Sequence, residues 1–426
     1  MAGRRRRRLP VFRLPYRDRG DKEDFWIVRP SRTLPLVFSC LGHAYMHLFT
    51  AFYFVIVLAL EYDWALPYHE LIKLWTIGSL LVGLGALPAG WLGDRWSAAG
   101  MMVVFFIGMG AAGIVCGLVD GPVAMLVGLA AIGLFSSIYH PVGIAWLVRN
   151  AKQRGKALGV NGIFGSVGVA ASGLVAGALI DELGWRAAFV IPGAVSLVTG
   201  LALLVCLRLG LVVQGEAAAA KEAPPGRGDM LRAFLILLLT MLIMGIVFQS
   251  TQAAMPKVFD LRLRDIAGDG AFGIGAIVAV VYTAGGIMQL AGGYMADKFA
   301  LKPIYIGAFL FQVPVMAAFA LFGGVPLIGV AVAAVLLTTV ALPAENMMLA
   351  RYTPAKHHGL AYGIKFVLAF GSAPLSLMLV SAIQARTGEF EWLFLILGAL
   401  AGLATLAAIL LPGEWRRSSP AVAPAE

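Results

Sequence analysis

The sequence reads as an all-α polytopic membrane protein of twelve transmembrane helices in two similar six-helix bundles, and three observations predict this. Its 426 residues are 60% hydrophobic and only 13% charged, with a mean hydropathy of +0.86, too little polar surface to cover a compact soluble body. Apolar runs of roughly 20 residues, long enough to cross a bilayer, recur along the chain. Two short patterns also reappear at nearly one offset, so the second half repeats the first.

Taken in order, the runs predict spans near 33–60, 70–93, 98–118, 122–148, 157–181 and 186–208, then near 231–255, 271–295, 302–323, 325–349, 360–384 and 392–412. Residues 1–32 read as a basic N-terminal tail carrying Arg4 to Arg8, with Phe25 to Val28 as interfacial anchors. No short apolar core with a small-residue cleavage site follows promptly, so a signal peptide is not expected. Residues 209–230, with Gln214, Ala217 to Ala220, Lys221, Pro224, Pro225 and Gly226, are polar and rich in helix breakers and read as a linker between bundles 33–208 and 231–412. Residues 413–426 form a short C-terminal tail.

The repeat rests on two landmarks. Gly90-Trp91-Leu92-Gly93-Asp94-Arg95 closes the second span and Gly293-Tyr294-Met295-Ala296-Asp297-Lys298 closes the eighth, 203 residues on. Gly155-Lys156-Ala157-Leu158-Gly159 opens the fifth span and Gly359-Leu360-Ala361-Tyr362-Gly363 opens the eleventh, 204 residues on.

The net charge of +10 is spread between apolar runs rather than gathered on one face, which argues against nucleic acid as a partner. With the N-terminus inside, 26 of the 33 Lys and Arg fall on the cytoplasmic side, 6 outside, and Lys365 within a span. That asymmetry predicts cytoplasmic termini in a cell inner membrane. Cys40, Cys116 and Cys206 lie in separate apolar runs without metal-ligand spacing, so neither a disulfide framework nor a zinc site is expected.

The Gly-x-Leu-x-Asp-Arg pattern after the second span, repeated after the eighth, resembles the loop signature of the major facilitator superfamily. Arg154 to Gly159 and Gly184-Trp185-Arg186-Ala187-Ala188-Phe189 are similar to patterns common there. The resemblance covers nearly the whole chain. It implies the fold of that superfamily, alternating access, and a central cavity lined by the first, fourth, seventh and tenth spans. It also implies that Gly90, Asp94 and Arg95, with Gly293, Asp297 and Lys298, act as a conformational latch. The residue types suit this role, since glycine lets helices approach and a carboxylate beyond a helix end can accept bonds from a neighbour's first amides; a turn stabilised by charge is the plainer alternative. Ile138-Tyr139-His140-Pro141 resembles a pattern in fosmidomycin-resistance-type exporters. The glycine-rich fifth span resembles the antiporter motif of drug exporters loosely, because Gly173 stands where that motif has proline.

Ionisable groups in hydrocarbon are costly and normally face a cavity or a partner. The candidates for substrate binding or proton coupling are His43, His47, His140, Glu345 and Lys365. His43 and His47 share a helical face, with His43 roughly 15 Å inside the first span. Histidine can exchange a proton near neutral pH, and a neutral ring hydrogen-bonded to a carbonyl is the alternative. The i, i+4 spacing also permits a metal, but no third ligand is evident from sequence, so none is expected. Glu345 and Lys365 sit at matching depth, roughly 8 Å from the cytoplasmic ends of adjacent spans. An ion pair between them would relieve both burial costs, and a proton or an anionic solute could break it; a purely structural pair, or a snorkelling lysine, is the alternative. The repeat sets Glu345 against Pro141 and Lys365 against Asn161, so the halves differ chemically there. Asn161, Gln249, Gln252, Tyr282 and Asn346 offer neutral hydrogen bonds, to a solute or between helices.

These features predict a proton-coupled secondary transporter of a small anionic, zwitterionic or amphipathic organic solute, working as a monomer without a cofactor, with export favoured over import of an organic acid. A non-transporting receptor or scaffold of the same fold is the competing class. No Ser/His/Asp pattern, His-Glu-x-x-His or Gly-Lys-Ser/Thr loop points to an enzyme or an ATP-driven pump.

Overall fold

The computed structural model describes residue 31 and residues 33–151, 153–212, 227–353 and 358–412. The N-terminal tail to residue 30, the centre of the linker (213–226) and the C-terminal tail from 413 lie outside the described residues. Among the described residues, eleven helices are long and apolar enough to cross a membrane, and a bent pair makes a twelfth. They are α1 (Thr33–Trp64), α2 (the pair Tyr68–Leu84 and Ala86–Arg95), α3 (Ala98–Leu118), α4 (Pro122–Asn150), α5 (Lys156–Leu183) and α6 (Trp185–Arg208). The second set is α7 (Met230–Arg262), α8 (Ala271–Lys298), α9 (Leu301–Leu321), α10 (Gly324–Arg351), α11 (Ala361–Thr387) and α12 (Glu391–Ile409).

Alternation of direction puts the start of α1 and the end of α12 on one face, here the terminal face, and the α1–α2 turn on the other, the far face. The chain is already helical at Arg227, so the last four residues of the expected linker belong to the helix of α7. Several helices also outrun their apolar stretches, above all α1 to Trp64 and α7 to Arg262. Hydropathy marks where a helix leaves lipid, whereas backbone bonding continues into the polar layer.

Sequence explains the breaks. Pro88 has no N–H for the Leu84 carbonyl, and α2 bends by 40° at Gly85. Pro141 does the same in α4, where Tyr139–Gly143 widen into a π-helical turn. Side chains such as Val198, Ile287 and Leu406 are 62%, 66% and 64% exposed; lipid is the solvent that suits this apolar exterior.

Within the first set α3 packs on α6, α4 on α2 and α1 on α5; within the second, α9 packs on α12 and α8 on α10. The halves meet along α5–α8 and α2–α11, contacts that the six-helix repeat maps onto each other. At the α5–α8 crossing a Cβ on Gly275 would stand 2.1 Å from the Gly173 carbonyl oxygen, and one on Gly173 would stand 2.9 Å from that of Gly275. Only glycine fits there, and the backbones touch directly.

Candidate functional site

In the first half, α1, α4 and α5 are joined by buried polar bonds. The Tyr139 hydroxyl donates to the Ser39 carbonyl (2.8 Å), and the Asn161 amide nitrogen donates to that same carbonyl (3.1 Å) and to the Tyr139 hydroxyl (2.8 Å). The Asn161 side chain is thus committed to helix packing. Its backbone carbonyl accepts from Nδ1 of His43 at 2.7 Å. The His43 ring stacks on Tyr139, with centroids 5.0 Å apart, and fits beside Gly165, where a Cβ would stand 2.6 Å from the ring.

The widened turn of α4 delivers His140 to the same place. Its ring lies 5.4 Å from that of His43 and 5.5 Å from that of His47, centroid to centroid, and the His43 and His47 rings are 4.9 Å apart. The third imidazole that sequence spacing did not reveal is therefore supplied by the fold. From the other half, Phe366 and Phe370 of α11 each lie 4.9 Å from His140. A cavity between the halves is lined by His47 and Thr50 of α1, Ser79 of α2, Gln249 and Gln252 of α7 and Phe370 of α11. Tyr282 is buried on α8 and is not among its described lining residues.

In the second half, Nζ of Lys365 lies 2.7 Å from Oε1 of Glu345, with side chains only 9% and 8% exposed. The pair is well supplied with hydrogen bonds. The Tyr305 hydroxyl donates to Oε2 of Glu345 at 3.0 Å and lies 2.9 Å from Oγ1 of Thr240, while Lys365 donates to Oδ1 of Asn346 at 2.6 Å. The residue after Lys365 is Phe366, which stacks on His140, so one stretch of α11 touches both clusters. Nothing in the sequence marked Tyr305 or Phe366, because aromatic residues in an apolar run read as packing.

The loop residues sit on the terminal face. Asp94 lies 3.5 Å from Arg149 within its own half and is 74% exposed on its side chain, and the Arg95 guanidinium covers the Trp91 ring at 4.4 Å. Gly90 faces Pro141, 3.2 Å from where its Cβ would be, whereas no atom of the described residues lies within 4 Å of a Cβ on Gly293. Asp297 and Lys298 end α8 on this face and are exposed.

A carboxylate-on-helix-start contact occurs on the far face. Asp181 at the end of α5 accepts from the amides of Ala271 (2.8 Å) and Phe272 (2.9 Å) at the start of α8. Further bonds join the halves there. Lys257 of α7 donates to Glu61 of α1 at 2.7 Å and to Asp260 at 2.9 Å, the Tyr68 hydroxyl to the Ala253 carbonyl at 3.0 Å, and the Ser381 hydroxyl to the His69 carbonyl at 2.7 Å. Sequence reading did not single out these residues, although a lysine and two acids at the ends of apolar runs were a visible signal.

The family model of the Major Facilitator Superfamily matches residues 38–322 and 265–426. The chain belongs to the major facilitator superfamily. Solved structures of its transporters share the fold. Crystal structures of a bacterial homolog to the human lysosomal transporter Spinster, in inward-facing occupied and unoccupied conformations, match with TM-scores of 0.67 and 0.65, each at 15% identity. Those matches cover 90% and 89% of this chain and 95% and 94% of the other. The peptide transporter POT in complex with sulfate matches with a TM-score of 0.72 at 13% identity, over 90% of this chain and 94% of the other. No curated protein matches the chain by sequence. Membership of the superfamily makes this protein a multi-pass secondary transporter of a small molecule.

Proposed function

We propose that this superfamily member is a proton-coupled transporter of a small organic solute, anionic, zwitterionic or amphipathic, in a cell inner membrane with both chain ends in the cytoplasm. The excess of Lys and Arg on the terminal side supports that orientation. The far face is then the outer face, and the conformation described is closed outward by Glu61–Lys257, Tyr68–Ala253, His69–Ser381 and Asp181–α8. Export is the direction favoured over import; a monomer is the working unit.

The observation that carries the coupling is the buried Lys365–Glu345 pair, joined along α11 to the Phe366 contact with His140. Protonating Glu345, or bringing an anionic group to Lys365, removes the attraction that holds α10 to α11 at this level. Any shift of α11 then changes its packing against the other half, which is what alternating access by rocking halves requires. Gln249 and Gln252 give the cavity neutral hydrogen bonds for the solute.

The test is flux in proteoliposomes under an imposed pH gradient in either direction, with radiolabelled organic acids, zwitterions and amphipathic dyes. Glu345→Gln and Lys365→Ala are each expected to abolish gradient-driven flux. Undiminished flux in both variants would remove the pair from the mechanism, and no flux of any solute in the parent protein would count against transport.

A further inference from the structure

Three imidazoles meet at the cavity edge with no acid among them. One ring nitrogen from each of His43, His47 and His140 can be chosen so that the three lie within 4.8 Å of one another. Histidines buried only as core residues would spend their nitrogens on protein partners, and these do so incompletely. Both ring nitrogens of His140 are buried without a hydrogen-bond partner among the described residues, on a residue only 9% exposed. A neutral ring carries one donor and one acceptor, so this state is costly unless something absent from the fold supplies a partner.

His43 is held differently. Its Nδ1 faces a carbonyl oxygen, which can only accept, so the ring proton sits on Nδ1 and Nε2 presents a lone pair. A histidine oriented by a backbone carbonyl through one nitrogen, with the other free, is how proteins hold metal-binding imidazoles. His47 lines the cavity, which gives an ion its route to the cluster.

We propose that His43, His47 and His140 form a three-imidazole site for a divalent transition-metal cation of the Zn²⁺, Co²⁺ or Ni²⁺ class, with a fourth coordination position turned to the cavity. Metal–nitrogen bonds of about 2.0–2.1 Å in a tetrahedron set the ligand nitrogens about 3.3 Å apart. Closing to that spacing takes ring movements of about an ångström, which the open cavity beside His47 allows. Imidazole donors select these ions over Mg²⁺ and Ca²⁺, which prefer oxygen. Three neutral ligands leave the ion its full charge, so the fourth position takes water or an anionic group. Phe366 and Phe370 press on His140 from the other half, which places the ion at the boundary between the halves.

The site shares His47 with the solute cavity and His140 with the α11 contact, but its test needs no transport. Chelator-treated full-length protein in detergent is titrated with Co²⁺, followed by its visible absorption, and then with Zn²⁺ in competition. One Co²⁺ per chain with a four-coordinate spectrum, displaced by Zn²⁺, is expected. His47→Gln and His140→Ala should each weaken binding about 100-fold or more, while replacing His69, His357 and His358 with alanine should leave it unchanged. Zn²⁺ should raise the melting temperature of the parent protein and not of the site variants, a shift that ligand linkage requires of any site in the folded state. This second readout also identifies a variant that has merely failed to fold. Lack of saturable one-to-one binding at micromolar Co²⁺ and Zn²⁺, or unchanged binding in folded His47→Gln and His140→Ala, would overturn the site.

Discussion

Lys257 of α7 reaches Glu61 of α1 with its Nζ 2.7 Å from Oε2, across the boundary between the halves. Lys257 is 9% exposed on its side chain and Glu61 29%, and Asp260 supplies a second carboxylate at 2.9 Å. This partly buried cluster ties α1 to α7 at the far face. Glu61→Gln leaves Lys257 with Asp260, so the fold persists while the tie weakens by about 1–3 kcal/mol. Spin labels at Tyr62 and Ile266, in opposite halves on that face, should report a larger share of widely separated pairs in this variant. An unchanged distance distribution would mean that the tie does not bias the conformation.

Asp181 gives a second, independent tie. Its carboxylate holds the amides of Ala271 and Phe272, and Asp181→Ala removes both acceptors from a helix start where negative charge is favourable. A loss of about 1–2 kcal/mol at this cap corresponds to roughly 5–30-fold faster opening. Hydrogen exchange at the start of α8 should accelerate by that factor, while exchange at the start of α12 should not change.

The buried pair in the second half makes a prediction about stability. Lys365→Met leaves the buried Glu345 without its ammonium partner, with Tyr305 as its donor among the described residues, and breaking a buried pair from one side costs about 3–5 kcal/mol. The double variant Glu345→Gln with Lys365→Met removes the orphaned charge. It should melt higher in detergent than Lys365→Met alone, and a lower melting temperature would contradict the pairing.

The α5–α8 crossing can be tested with one methyl group. Gly275→Ala puts a carbon against the Gly173 carbonyl and should destabilise the protein by about 1–3 kcal/mol, since the crowding atom is backbone and cannot turn aside. Gly293→Ala, with nothing within 4 Å, is the matched control and should melt like the parent.

Much of this fold was legible in the sequence because membrane solvation imposes a simple rule. Twelve apolar runs and two repeated landmarks were enough to define the twelve helices, their alternation and the equivalence of the halves. Helix ends were less legible, since Glu61 and Lys257 lie on helical turns beyond the apolar runs. The histidine cluster was half visible. Spacing put His43 beside His47, but His140 arrives through a proline-widened turn on another helix, and no local periodicity encodes that meeting. Lys365 and Glu345 stood out because charge in hydrocarbon is rare; Tyr305 and Thr240, which complete their hydrogen bonds, did not, because hydroxyl groups are common in helices.

The contact of Gly173 with Gly275 has a mechanical meaning. At this point the backbones meet with no side chain between the two facing glycines, and the contact behaves as a plain bearing on which one helix can roll on the other. Friction at the middle of the molecule is then low, and the preference for one state over another is set at the rims, where single charged residues act as catches. Such a machine can be retuned by exchanging a catch while its axle stays untouched.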